Sequence, residues 1–142
     1  MLITDLPFPV AIVAPDGWAE FLNSAESAQM WNCVAIRKYS RIGFTVADAS
    51  GSIWDLIQLT PRKKPSFFDR FQLQPRSTLT DVHLEGILDR PFEVFCERLR
   101  IALSTDSDCM TQFTSKEKIL SAIDGAKSVL ELSQQLRKMR AI

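Results

Sequence analysis

The 142 residues match one domain, 1–142, and the 46% hydrophobic, 24% charged composition supplies a core without staples, excluding intrinsic disorder. Seventeen basic and 17 acidic side chains cancel, so no global field draws the chain to nucleic acid or an anionic membrane. Cys33, Cys96 and Cys109 form no CxxC pair, which disfavours a disulfide framework or a structural zinc site.

The start, "MLITDLPFPVAIVAPDGW", lacks the basic region of a signal peptide and is interrupted by Pro7 and Pro9. No stretch approaches the roughly 20 apolar residues of a membrane span, so a cytoplasmic protein is expected. "FPVAIVAP" reads as a buried strand ending at the turn "PDGW", with "WAEFL" as its return strand. "NSAESAQMWN" follows as a short helix with Ser24 as N-cap. In "CVAIRKYSRIGFTV", Val34, Ile36 and Lys38 alternate with Ala35 and Arg37, the pattern of a strand with one wet face. The next hairpin joins Phe44, Val46 and Asp48 through "ASGS" to a strand alternating Ile53, Asp55 and Ile57 with Trp54, Leu56 and Gln58.

"TPRKKPSFFDRFQLQPR" is too long for a hairpin turn, and Pro61, Pro65 and Pro75 exclude it from a central strand. Ser66 and Asp69 have capping-box spacing, which predicts a single helical turn over "FFDRF". "STLTDVHLEGI" is a half-exposed strand, with Thr80, Val82 and Leu84 on one face and Asp81, His83 and Glu85 on the other. Phe92, Phe95, Cys96, Leu99, Ala102 and Leu103 then take helical spacing behind Pro91, with Cys96 on the buried face. "STDSDC" is a loop, and Thr114 with Glu117 makes a capping box for a helix to about Ile123. Val129, Leu132, Leu136 and Met139 stripe a last helix whose "RKMR" end suits the dipole. Strands first and helices last predict an α+β fold: an antiparallel β-sheet of about five strands, with helices packed mainly on one face and C-terminal helices.

His83 is the sole histidine, so a serine or cysteine nucleophile would need it as base. Asp81, His83 and Glu85 make either an acid/base cluster or the polar outer face of a sheet. No GxSxG, HExxH, EF-hand, GxGxxG or GxxxxGK[ST] pattern accompanies them, so no catalytic residue, metal or cofactor is assigned.

The loop interleaves Arg62, Lys63, Lys64 and Arg70 with Phe67, Phe68 and Phe71. Bases and aromatics together serve protein recognition or single-stranded nucleic acid, unless the phenylalanines simply plug the core. Nucleic acid is the weaker reading, because the charge is balanced and no RNP-type strand motif is present. Trp54, just past the hairpin tip, joins these residues as a contact candidate, while Trp18 and Trp31 read as packing residues. Charge is blocked along the chain: no base precedes Arg37, residues 37–76 are mostly basic, and residues 77–124 lean acidic. Such blocks either pair internally or form patches for a partner.

"FPVAIVAPDGWAEFLNSAE", followed by "ADASGSIWDLIQL", resembles the N-terminal half of small bacterial immunity-type proteins from polymorphic toxin systems. The resemblance spans residues 8–59 and rests on a strand, a D-G turn, a short helix and a D-x-x-G-x-x-W hairpin. It implies a cytoplasmic, non-enzymatic α+β antidote that binds and blocks a cognate toxin. The balanced charge departs from the strongly acidic immunity proteins that neutralise nucleases, and so points away from a nuclease toxin. The expected contact surface is the 61–71 loop, with Arg62, Lys63, Lys64, Phe67, Phe68 and Arg70, together with Trp54 and the open face of the sheet. The alternatives are a small enzyme using Asp81, His83 and Glu85, or a nucleic-acid accessory domain using the loop.

Overall fold

The computed structural model describes residues 1–63, 77–87, 91–104 and 114–141. The loop residues Lys64, Phe67, Phe68, Arg70 and Phe71, the expected helical turn at "FFDRF" and Cys109 lie outside them. The fold is α+β: a curled, wholly antiparallel six-stranded sheet in the order β2-β1-β4-β5-β6-β3, with helices against it.

β1 (Val10–Val13) is buried on both faces, as its unbroken apolar run requires. The Asp16-Gly17 turn returns it to β2 (Ala19–Leu22), the carbonyl of Trp18 accepting from the Ala14 N–H at 2.8 Å. Ser24 caps α1 (Ala25–Gln29) by accepting from the Ser27 N–H, as expected. The chain then re-extends into β3 (Met30–Asn32), a short strand antiparallel to the start of β6 (Ser77–Ile87) that the helical reading of "MWN" had absorbed.

The segment after β3 corrects the expected strand: Cys33–Ile42 is a helix, α2. Asn32 caps it, Oδ1 accepting from the Ala35 N–H at 2.8 Å, and Gly43 ends it at φ 70°, a left-handed conformation that favours glycine. Val34 and Ile36, two residues apart, mimic strand alternation, but Val34 is 62% exposed. The face that packs is Ala35, Ile36 and Tyr39, which is helical spacing.

β4 (Thr45–Ala47) and β5 (Ile53–Pro61) form the expected hairpin, with Thr45 opposite Asp55. A bulge between Leu56 and Gln58 changes the alternation read from sequence: Ile57 is extruded, so Leu59 returns to the core face and Gln58 turns outward. β6 keeps strict period two, with Thr80, Val82 and Leu84 buried.

α3 (Pro91–Ser104), α4 (Lys116–Gly125) and α5 (Val129–Lys138) cover one sheet face. The cap of α4 is Ser115, one residue beyond the expected Thr114, its hydroxyl accepting from the Lys118 N–H. Ala11, Val13, Phe21, Ala47 and Ile53 meet Phe95, Leu99, Ile119, Ile123, Leu132 and Leu136 on this side. Arg98 of α3 adds a polar tie, donating to Thr45 Oγ1 and Asp55 Oδ1 at 2.6 Å each. The other face also carries a layer: the N-terminal turn with Ile3 and Leu6, α1 and α2 enclose Val10, Ile12, Val46, Val82 and Leu84. Among the described residues no helix is long and apolar enough to cross a membrane.

Candidate functional site

The described residues singled out from the sequence fall in two places. Arg62 stands on the outer face of the sheet, its Nε 3.1 Å from Asp81 Oδ1. Lys63 is exposed beside it. Trp54 lies apart from them, half-buried on the inner face of the hairpin, its Nε1 donating to Asp48 Oδ2 at 2.9 Å. Its indole rests on Gly86 across the strand pair, 3.1 Å from where a Cβ would stand. Packing and a hydrogen bond therefore hold Trp54 within the hairpin.

Asp81, His83 and Glu85 do share one face of β6, as their alternation requires. They stand in a row along the strand: Asp81 opposite Thr60, His83 opposite Gln58 and Glu85 opposite Asp55. Among the described residues no group of three His, Cys, Asp or Glu side chains converges to hold a metal ion. The same face continues through Leu79 to Met30, its direct partner on β3, and these two apolar side chains are 40% and 44% exposed. An apolar pair at the sheet margin thus adjoins an ion pair, a histidine and a carboxylate.

A second feature, not anticipated from sequence, arises from the curl of the sheet. The outermost strands β2 and β3 approach each other and both line a cavity of about 290 Å³, with α1 and α2 contributing to the walls. Trp18, Trp31 and Tyr39 form its aromatic side, with ring centroids 5.1–6.1 Å apart, and Phe44 stacks behind Trp31 at 5.3 Å. Trp31 is fixed by donating from Nε1 to the Ala28 carbonyl at 2.9 Å. On the outside of the cluster, Lys38 pairs with Asp16 and lies 5.4 Å from the Tyr39 ring centroid. Partial burial opposes ionisation of Asp16, but the bonds from Lys38 and the Trp18 N–H outweigh it and lower its pKa.

Among the described residues Glu20 is the one charged side chain lining this seam. Trp18, Glu20 and Leu22 alternate on the face of β2 that joins the inner core, and Glu20 pairs across with buried Ile12. A carboxylate here replaces the apolar residue that strand alternation calls for. Much of the side chain stays open to solvent, but the seam walls remove enough water to raise its pKa above the ordinary 4.5. The folded state therefore holds this proton more tightly than the unfolded chain, and stability falls as pH rises from about 4.5 through the folded-state value. Glu20→Gln is expected to melt higher than wild type at pH 7, with the gap closing below pH 4.5, as read by thermal denaturation at both pH values.

The sequence signal for the seam was present in "WAEFL" as an acid between inward-facing Trp18 and Leu22. Its meaning depended on β3, absorbed into a helical reading, and on α2, which alternation misassigned. A larger depression of about 570 Å³ between α4 and α5 carries Lys118 and Lys138 but no aromatic ring. Comparison with protein-family models, curated proteins and solved structures gives no match to this chain.

Cys96, on the inward face of α3, is buried in the core between the helices and the sheet, and burial pushes its thiol up to about 11. It is expected to resist iodoacetamide at pH 8 in the native protein and to alkylate fully in denaturant, as mass spectrometry of digests reports.

Proposed function

We propose that this chain is a non-enzymatic protein-binding domain, an immunity or inhibitor protein that acts in the bacterial cytoplasm by binding and neutralising a cognate toxin. The observation that carries the reading is the outer face of β5–β6–β3. There the exposed pair Met30 and Leu79 is flanked by Arg62 with Asp81, by His83 and by Glu85. An apolar patch with a charged and polar surround is the usual anatomy of a specific protein contact. Arg62 is also the first base of the basic, aromatic loop 61–71 and stands on the same face.

The test uses the purified chain as bait against proteins of its source cells, beside a Met30→Asp/Leu79→Asp variant of unchanged circular dichroism. Wild type is expected to retain a stoichiometric protein that arrests growth when expressed alone and is tolerated when co-expressed with this chain. The variant is expected to lose that protein by at least about tenfold in affinity, the cost of burying two unpaired carboxylates. Equal retention by both proteins places the contact elsewhere, and a retained protein with no effect on growth removes the toxin reading.

A further inference from the structure

We propose that the seam between β2 and β3 is a binding site for an organic ammonium group, held by Glu20 and by the rings of Trp18, Trp31 and Tyr39. The inference is independent of whether the outer face binds a protein.

The starting point is the misfit of Glu20. Its position on β2 faces the inner core, its cross-strand neighbour Ile12 is fully buried, and Trp18 and Leu22 flank it on the same face. The carboxylate itself reaches solvent at the mouth of the seam, with only part of its water removed by the walls, so it stands where an entering cation would meet it. Among the described residues Glu20 has no ion-pair partner, whereas Asp16, Asp55, Asp81 and Asp124 each have one. Lys38, whose ammonium lies over the Tyr39 ring, is committed to Asp16 outside the seam.

The chemistry of the walls selects the occupant. Aromatic rings present electron-rich faces that attract cations, most strongly where water is excluded. Trp18 and Tyr39 lie 5.1 Å apart with their planes inclined by 31°, and Trp31 stands nearly perpendicular to Tyr39 at 75°. Several ring orientations thus border one space, and the polar remainder of the lining comes from Ser27, Asn32 and Ser77. Tyr39 already holds the Lys38 ammonium 5.4 Å from its ring centroid, so this cluster engages cations within the chain itself. A volume of about 290 Å³ is small for a ligand site and suits a group the size of trimethylammonium or a lysine terminus. An anion would meet the Glu20 charge, and a neutral apolar group would leave it unpaired.

The probes are choline, its neutral carbon isostere bearing a tert-butyl group, and Nα-acetyl-lysine amide, titrated while tryptophan fluorescence and calorimetric heat are recorded. Saturable binding of at least one cation is expected, with the isostere weaker by about tenfold or more. Glu20→Gln is expected to weaken the cation by about tenfold while leaving the isostere unchanged, and Glu117→Gln, on the far side of the fold, to change nothing. The tighter of choline and the lysine amide identifies a free amine or a protein side chain as the source. Thermal denaturation of Glu20→Gln separates lost binding from lost structure. Equal binding of choline and its isostere, a cation affinity unaffected by Glu20→Gln, or no saturation by either cation overturns the assignment.

Discussion

Replacing Asp48 by alanine is expected to destabilise the protein by about 3 kcal/mol, because one buried carboxylate organises the whole β4–β5 turn. Asp48 is 1% exposed. Its Oδ1 accepts from the backbone N–H of Ser50 at 2.9 Å and of Ser52 at 3.1 Å, and from the Ser50 hydroxyl. Its Oδ2 accepts from the indole of Trp54. Gly51, at φ 87°, supplies the left-handed residue the turn needs. Alanine would strand the donors of Ser52 and Trp54 inside the hairpin, where water replaces the lost acceptor poorly. Asparagine keeps one acceptor oxygen, so Asp48→Asn is expected to lose roughly half as much. Urea denaturation gives the stabilities, and a red shift of tryptophan emission in Asp48→Ala is expected from the released Trp54 indole. A cost below about 1 kcal/mol would show that the turn stands without the carboxylate.

Phe95→Ala is expected to cost more, about 3–5 kcal/mol, and to lower the melting temperature by about 10 °C or more. Phe95 is fully buried where α3 crosses the sheet. It belongs to the apolar cluster of Ala11, Ala47 and Ile53 from the strands with Ile119, Ile123, Leu132 and Leu136 from α4 and α5. Phe92 stacks on it with centroids 6.5 Å apart. A ring removed from the junction of three helices and a sheet leaves a cavity that no single element can close, since each is held by its neighbours. Phe95→Leu retains most of the volume and is expected to lose clearly less. Comparable losses for the two variants would mean that shape, rather than volume, governs the site.

Much of this architecture was legible because its patterns were local. β1, β6, α3 and α5 declared themselves by an unbroken apolar run, by strict alternation and by helical stripes. Ser24 marks a helix start by chemistry that needs no tertiary partner. α2 was misread because Val34 and Ile36 are apolar for different reasons: one is exposed, the other packs, and only the fold distinguishes them. β3 was missed because three residues carry no periodicity and their pairing partner lies far along the chain, at Ser77–Leu79. The bulge at Ile57 was equally invisible, as β5 looks regular until Leu59 has to reach the core. The outer-face residues Asp81, His83 and Glu85 were placed correctly relative to one another by alternation alone. The seam could not be found that way, because its walls come from separate elements and its one charged member is conspicuous only once its neighbours are known to be core.

The curl that makes the seam has another effect. Open sheets expose unpaired backbone N–H and C=O groups along their margins, where a second chain can add a strand. Here the marginal strands are short, Ala19–Leu22 and Met30–Asn32, and they are turned towards each other with α1 between them. An incoming extended segment finds only a short template at these two strands. Beyond Leu79 the outer margin of β6 is met by the N-terminal segment, where Leu2 bridges His83 and the Met1 carbonyl accepts from the Leu84 N–H. Glu20 and Asn32 add polar side chains at both margins, which further disfavours a growing stack of strands. The same bend that gathers the aromatic rings also guards a six-stranded antiparallel sheet against self-association into fibrils.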